Sequence, residues 1–144
     1  MCSNEIKFIR RNKKYPEDII FQDKTCIKPI CDRKKYCWIV EILKKEAMKS
    51  TLPFKHGACI IKGGKILSIG HNYILTKKIG EKYTVHAEVS AIMKLPKKYK
   101  TKCETYTLVV IRVNRDNEVR LSKPCINCTH AICKSGIRTA IYSV

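Results

Sequence analysis

Two short stretches carry the residues best suited to chemistry: His86-Ala87-Glu88, and Pro124-Cys125-Ile126-Asn127-Cys128 about 40 positions later. Two thiols three residues apart at the start of a helix project from one face toward one point. The positive end of the helix dipole favours their ionised form. With an imidazole they make a soft divalent site of three protein ligands, His86, Cys125 and Cys128, which leaves the fourth tetrahedral position of a zinc ion open to water. Zinc brings a bound water near its ionisation point at neutral pH. Glu88 follows His86 by two residues, close enough to stand beside the metal without ligating it, take a proton from the water and return it to a leaving group. Singly, a CxxC pair, a lone His or an HxE triplet is a weak signal. Jointly, at two helix starts flanking a buried strand, they specify a catalytic zinc centre.

The elements that must position these groups follow from periodicity. Apolar residues recur at helical spacing from Arg33 to Ser50, giving an amphipathic helix. Two apolar runs, His56 to Ile61 and Ile66 to Gly70, flank Lys62-Gly63-Gly64-Lys65 and read as an antiparallel hairpin. A loop rich in Lys, Thr and Gly follows. Val85 to Leu95 is a helix ended by Pro96, and Thr105 to Val113 is a strand apolar enough to be covered on both faces. Pro124 opens a helix running to about Ser135, where Gly136 stops it, and the chain finishes in a strand from Arg138 to Val144. This order predicts an α/β protein, a three-layer α/β/α sandwich on a mixed sheet.

The chain has 144 residues, 44% of them hydrophobic, enough for one core. Residues 1–32 are polar, basic and interrupted by Pro16 and Pro29, and read as a basic arm or irregular cover. Residues 33–144 form the functional domain. No apolar run is long enough to span a membrane and the charged start is unlike a secretory signal, so a soluble, cytoplasmic protein is expected. Nine cysteines are an odd count for a disulfide scaffold. Cys26, Cys31 and Cys37 read as reduced thiols, and Cys59, Cys103 and Cys133 as packing residues. His56, His71 and His130 read as ordinary polar residues. The net charge of +18 suits an anionic partner, but Lys far outnumbers Arg and is spread along the chain, which disfavours base-reading contacts with a polynucleotide. Lys77, Lys78 and Lys82, in the loop before the second helix, are candidates to meet a substrate phosphate.

At HAE and PCINC the sequence resembles the cytidine and deoxycytidylate deaminase superfamily, whose signature is HxE followed by PCxxC. The likeness runs from about Leu52 to Val144 and includes Gly70-His71-Asn72 and AICKSGIRTAIYS. It implies a cytidine deaminase-like fold, a Zn2+ cofactor, and a hydrolase that replaces an amine on a nucleobase with oxygen, with Glu88 shuttling protons as ammonia leaves. By position, Asn72 matches a residue that contacts the substrate sugar, and Ala87 one whose backbone amide meets the base carbonyl. His86 in place of Cys, and the stretch PCINCTHAICKSGIRTAIY, are most similar to deoxycytidylate deaminases. Cytosine in a nucleotide or nucleoside is therefore the expected substrate. The alternatives are another base, guanine or an adenosine or cytidine in RNA or single-stranded DNA, or a zinc-stabilised binding module without catalysis. Leu121-Ser122-Lys123 stands where polynucleotide deaminases usually carry Trp. The chain ends at the strand after the second cysteine helix, where many relatives add a further helix and strand, so a homo-oligomer whose partner completes the pocket is expected.

Overall fold

The β-branched run Thr107-Leu-Val-Val-Ile-Arg-Val113 lies at the centre of the sheet, as its continuous apolar character requires. A computed structural model describes residues 25–144. In chain order the elements are β1 (Cys26–Pro29), α1 (Arg33–Ala47), β2 (Lys55–Lys62), β3 (Lys65–His71), β4 (Tyr73–Thr76), β5 (Lys82–Val85), α2 (Ala87–Lys94), a 3-10 stretch (Lys97–Thr105), β6 (Thr107–Val113), β7 (Val119–Arg120), α3 (Ile126–Ser135) and β8 (Thr139–Tyr142). The main sheet runs β1-β8-β6-β2-β3, with β7 added on β6. β2 is antiparallel to β3 and β6, whereas β8 is parallel to β6 and β1. The sheet is therefore mixed.

Alternation along the strands divides the core into two layers. Ala58, Ile60, Leu108, Val110 and Ala140 face α2 and α3, packing with Ala87, Ala91 and Ile132. Cys59, Ile61, Val109, Ile111 and Ile141 face the other way, against Ile39, Leu43 and Ala47 of α1. Each such aliphatic side chain contributes about 1.5–3 kcal/mol on burial. The α/β/α sandwich expected from the sequence is the observed architecture. Gly57 lets α1 come close: a Cβ there would stand 2.6 Å from the Leu43 carbonyl oxygen.

Several local readings change. Residues 26–29, expected to be irregular, form β1, which pairs in register with β8 from Cys26↔Thr139 to Pro29↔Tyr142. A four-residue edge strand containing Pro29 has no local periodicity to announce it; its partner lies more than 100 residues away. The rest of the basic arm, residues 1–24, lies outside the described residues. Cys26 is disulfide-bonded, not a free thiol, since pairing depends on which sulfurs folding brings together rather than on spacing. Cys31 and Cys37 are free and exposed. The supposed loop after Asn72 is a two-stranded sheet, β4 with β5, separate from the main one. Its Ile74, Leu75 and Tyr83 are exposed, so no buried face imposes alternation. Within it, Lys77 is engaged by Glu81 at 3.4 Å and by the Tyr83 ring. Among the described residues no helix is long and apolar enough to cross a membrane.

Candidate active site

His86 is the N-cap of α2 and Cys125 the N-cap of α3, so the two helix starts converge where these helices meet the sheet. The His86 ring does not cap its own helix and is turned toward the cysteines. Its Nδ1 lies 3.1 Å from Cys128 Sγ and 3.6 Å from Cys125 Sγ. The Cys128 backbone N–H donates to Cys125 Sγ at 3.5 Å, so the first turn of α3 orients its own thiol. The segment leading into that turn is tied to the sheet by two serines. Ser122 Oγ donates to the Val110 carbonyl at 2.9 Å and Ser143 Oγ to the Arg120 carbonyl at 2.6 Å.

The donor atoms of His86, Cys125 and Cys128 all lie within 4.8 Å of one another and could hold a metal ion. One imidazole and two sulfurs at these separations fit a single ion bonded to each at about 2.0–2.3 Å, the range zinc takes. The proton affinities of the three donors support this. Hydrogen bonds from Cys128 and His86 hold the Cys125 thiol down at about 3. Cys128 is pushed up by the neighbouring Cys125 sulfur and by burial, and the bond to Cys125 raises His86. One negative sulfur is thus already favoured, and a divalent cation would take the place of the shared protons.

Beside the cluster opens a cavity of about 400 Å³ lined by His86, Ala87, Glu88, Cys125, Asn72 and Lys123, among others. Of the residues singled out in the sequence, His86, Ala87, Glu88, Asn72 and Cys125 line this one cavity, and Cys128 adjoins it through the donor cluster. Glu88 is 4% exposed, and burial holds its carboxyl above the usual range. Asn72, also buried, is largely occupied by the protein: its Oδ1 accepts from the His56 N–H at 2.9 Å and its Nδ2 donates to the Phe54 carbonyl at 2.6 Å. Two polar groups of the wall escaped the sequence reading in this role, His56 and Lys123. A lone His at the start of a strand carries no spacing signal. Lys77, Lys78 and Lys82 do not line the cavity.

A sequence model described as the cytidine and deoxycytidylate deaminase zinc-binding region matches residues 33–144. The chain belongs to this family. Membership accounts for a His/Cys/Cys group at two helix starts: the family's domain is a zinc-binding one, and the cofactor is Zn2+. Two solved structures similar to this deaminase-family chain are the dCMP deaminase of cyanophage S-TIM5 in complex with dCMP and dUMP, and the same enzyme in apo form. The first is 19% identical with a TM-score of 0.46, covering 78% of this chain and 82% of that one. The second is 18% identical with a TM-score of 0.43, covering 74% and 98%. No curated protein matches the chain in sequence.

Proposed function

We propose that this deaminase hydrolyses the exocyclic amine of cytosine in a nucleotide, deoxycytidylate being the favoured substrate, with water entering and ammonia leaving as the base becomes uracil. The observation that carries this reading is the buried Glu88 carboxyl in the first turn of α2, on the wall of one cavity with His86 and Cys125 and in hydrogen-bond contact with Cys128. In this reading His86, Cys125 and Cys128 would hold the zinc, which would supply Lewis acidity that makes a water ionisable near neutral pH.

Glu88 is the group that moves protons here: its carboxylate would accept one from the attacking water and its acid form would give one to the departing amine. A carboxyl with a raised pKa suits both halves of the task, since it must be ionised to accept and protonated to donate. The Ala87 backbone amide, at the first turn of α2, donates to the base carbonyl. Asn72 fixes the wall on which the sugar rests. Lys123 brings a cation to the cavity, which favours a phosphorylated substrate over a free nucleoside. A metal site serving only stability has no need of a buried carboxyl facing a cavity, because burying one is costly. The domain runs over residues 33–144, with β1 added to its sheet, and acts as a homo-oligomer in the cytoplasm.

The test is ammonia release from zinc-loaded protein across deoxycytidylate, cytidylate, deoxycytidine, cytidine, cytosine, guanine and a single-stranded oligonucleotide. Turnover of deoxycytidylate, abolished in Glu88→Gln, is the expected result. Turnover of guanine or the oligonucleotide alone overturns the substrate assignment. Silence across the panel in folded, zinc-bound protein overturns the catalytic one.

A further inference from the structure

The segment 54–56 enters the cavity wall in a conformation that two side chains, Asn72 and Arg112, fix. Asn72 clamps it from both sides, accepting from the His56 N–H at 2.9 Å and donating to the Phe54 carbonyl at 2.6 Å. Arg112, the cross-strand partner of His56 on β6, lies over the Phe54 ring at 4.8 Å. The imidazole of His56 is thereby set in the cavity that also holds Glu88 and His86. Its Nδ1 is 3.4 Å from the Phe54 carbonyl oxygen. A carbonyl only accepts, so Nδ1 carries the proton, and in the neutral ring Nε2 is an acceptor. Among the described residues the ring has no other hydrogen-bond partner given by the structure. Burial, with the positive charge of Arg112 nearby, holds His56 below its ordinary pKa and favours that neutral form.

We infer that His56 is a specificity-determining residue whose Nε2 accepts a hydrogen bond from the sugar hydroxyl of the bound nucleotide. The inference rests on the deaminase reading and follows from matching donors to acceptors. The exocyclic amine is the only hydrogen-bond donor of a cytosine base attached to sugar. It is also the reacting group, so it belongs with Glu88 and the metal ligands. The base's remaining polar atoms, and the oxygens of an ionised phosphate, are acceptors, which an acceptor nitrogen repels. What is left for Nε2 to meet is a hydroxyl of the pentose, and in a deoxynucleotide that is the 3′-hydroxyl.

The experiment compares deoxycytidylate with its 2′,3′-dideoxy counterpart in the zinc-loaded wild type, His56→Leu and His56→Gln. Dissociation constants for the corresponding uracil products, with and without the 3′-hydroxyl, are measured by calorimetry as a readout independent of turnover. The wild type is expected to favour the hydroxylated compounds about tenfold, the worth of one hydrogen bond. His56→Leu should bring that ratio near one, and His56→Gln, which keeps an acceptor, should restore part of it. A general disturbance of the fold would depress both compounds alike and leave the ratio unchanged. An active enzyme whose ratio is the same in all three proteins overturns the role of His56 alone. A protein that neither turns over nor binds any nucleotide overturns the deaminase reading and this inference together.

Discussion

His86 Nδ1 lies 3.1 Å from Cys128 Sγ although 42 residues separate them in the chain. The contact depends on two helices starting at the same end of one sheet, so the metal donors are assembled by the fold as a whole. Their convergence couples metal binding to stability, because a ligand held only by the folded state stabilises it in proportion to its affinity and concentration.

Replacing Cys128 should expose that coupling. Cys128→Ser removes a buried sulfur from the donor set and leaves His86 and Cys125 unable to close the site. Zinc content after dialysis should fall from stoichiometric to near zero, and the unfolding midpoint should drop to that of chelator-treated wild type. Metal analysis and thermal unfolding check both halves. A variant that keeps its zinc would remove Cys128 from the ligand set.

Glu88→Gln should leave zinc content unchanged and lower kcat by about 10²–10⁴-fold, the usual worth of positioned proton transfer. Its pH dependence has a definite sign. Burial holds the Glu88 carboxyl above the ordinary carboxylate range, so the ionised form that accepts a proton is depleted as pH falls through that raised value. The wild-type kcat/KM should therefore decline on the acid side at a pH above the ordinary range near 4.5. A profile flat down to that range would separate the rate from the ionisation of Glu88.

The parts of the site written locally were legible in the sequence. HAE and PCINC sit at helix starts, and a helix start needs only its own first turn to aim a side chain. The central strand Thr107–Val113 was legible because both faces are buried, which forces a continuous apolar run. Features made by distant pairing left no such trace. β1 exists because β8 offers an edge to it, and the β4–β5 hairpin has no buried face to impose alternation. The place of His56 on the cavity wall is set by Asn72, 16 residues onward, through a backbone hydrogen bond that no spacing rule encodes.

On the opposite face of the sheet, the buried Glu46 carboxylate sits between Lys49 Nζ at 2.8 Å and His71 Nδ1 at 2.9 Å. Burial alone would raise its pKa, but the hydrogen bonds from Lys49 and His71 outweigh it and hold the carboxyl below its ordinary value of 4.5. A group with a lowered folded pKa contributes stability above its unfolded pKa and loses it as pH falls through the folded value. Glu46→Gln should therefore cost about 1–3 kcal/mol at neutral pH, with the difference from wild type shrinking below pH 4.5. Urea midpoints at neutral and acid pH measure it; a gap that widens on acidification would reverse the assigned sign.

Under the proposed function, Lys123 on the cavity wall is the residue expected to separate a nucleotide from a nucleoside. It precedes Pro124 and Cys125 in a segment that the Ser122 and Ser143 hydroxyls tie to the sheet, so its backbone is fixed at the cavity wall. A substrate phosphate is the group of a nucleotide that a lysine ammonium recognises, and a nucleoside has nothing equivalent. Lys123→Ala should raise KM for deoxycytidylate about tenfold, as for the loss of one charge-assisted hydrogen bond, with little change in kcat. KM for deoxycytidine should be nearly unchanged. Added salt should weaken the wild-type preference for the nucleotide and barely affect the variant, because a partly exposed charge pair is screened. Equal losses on both substrates would instead assign Lys123 to the shape of the pocket and leave phosphate recognition to other cations of this strongly basic chain.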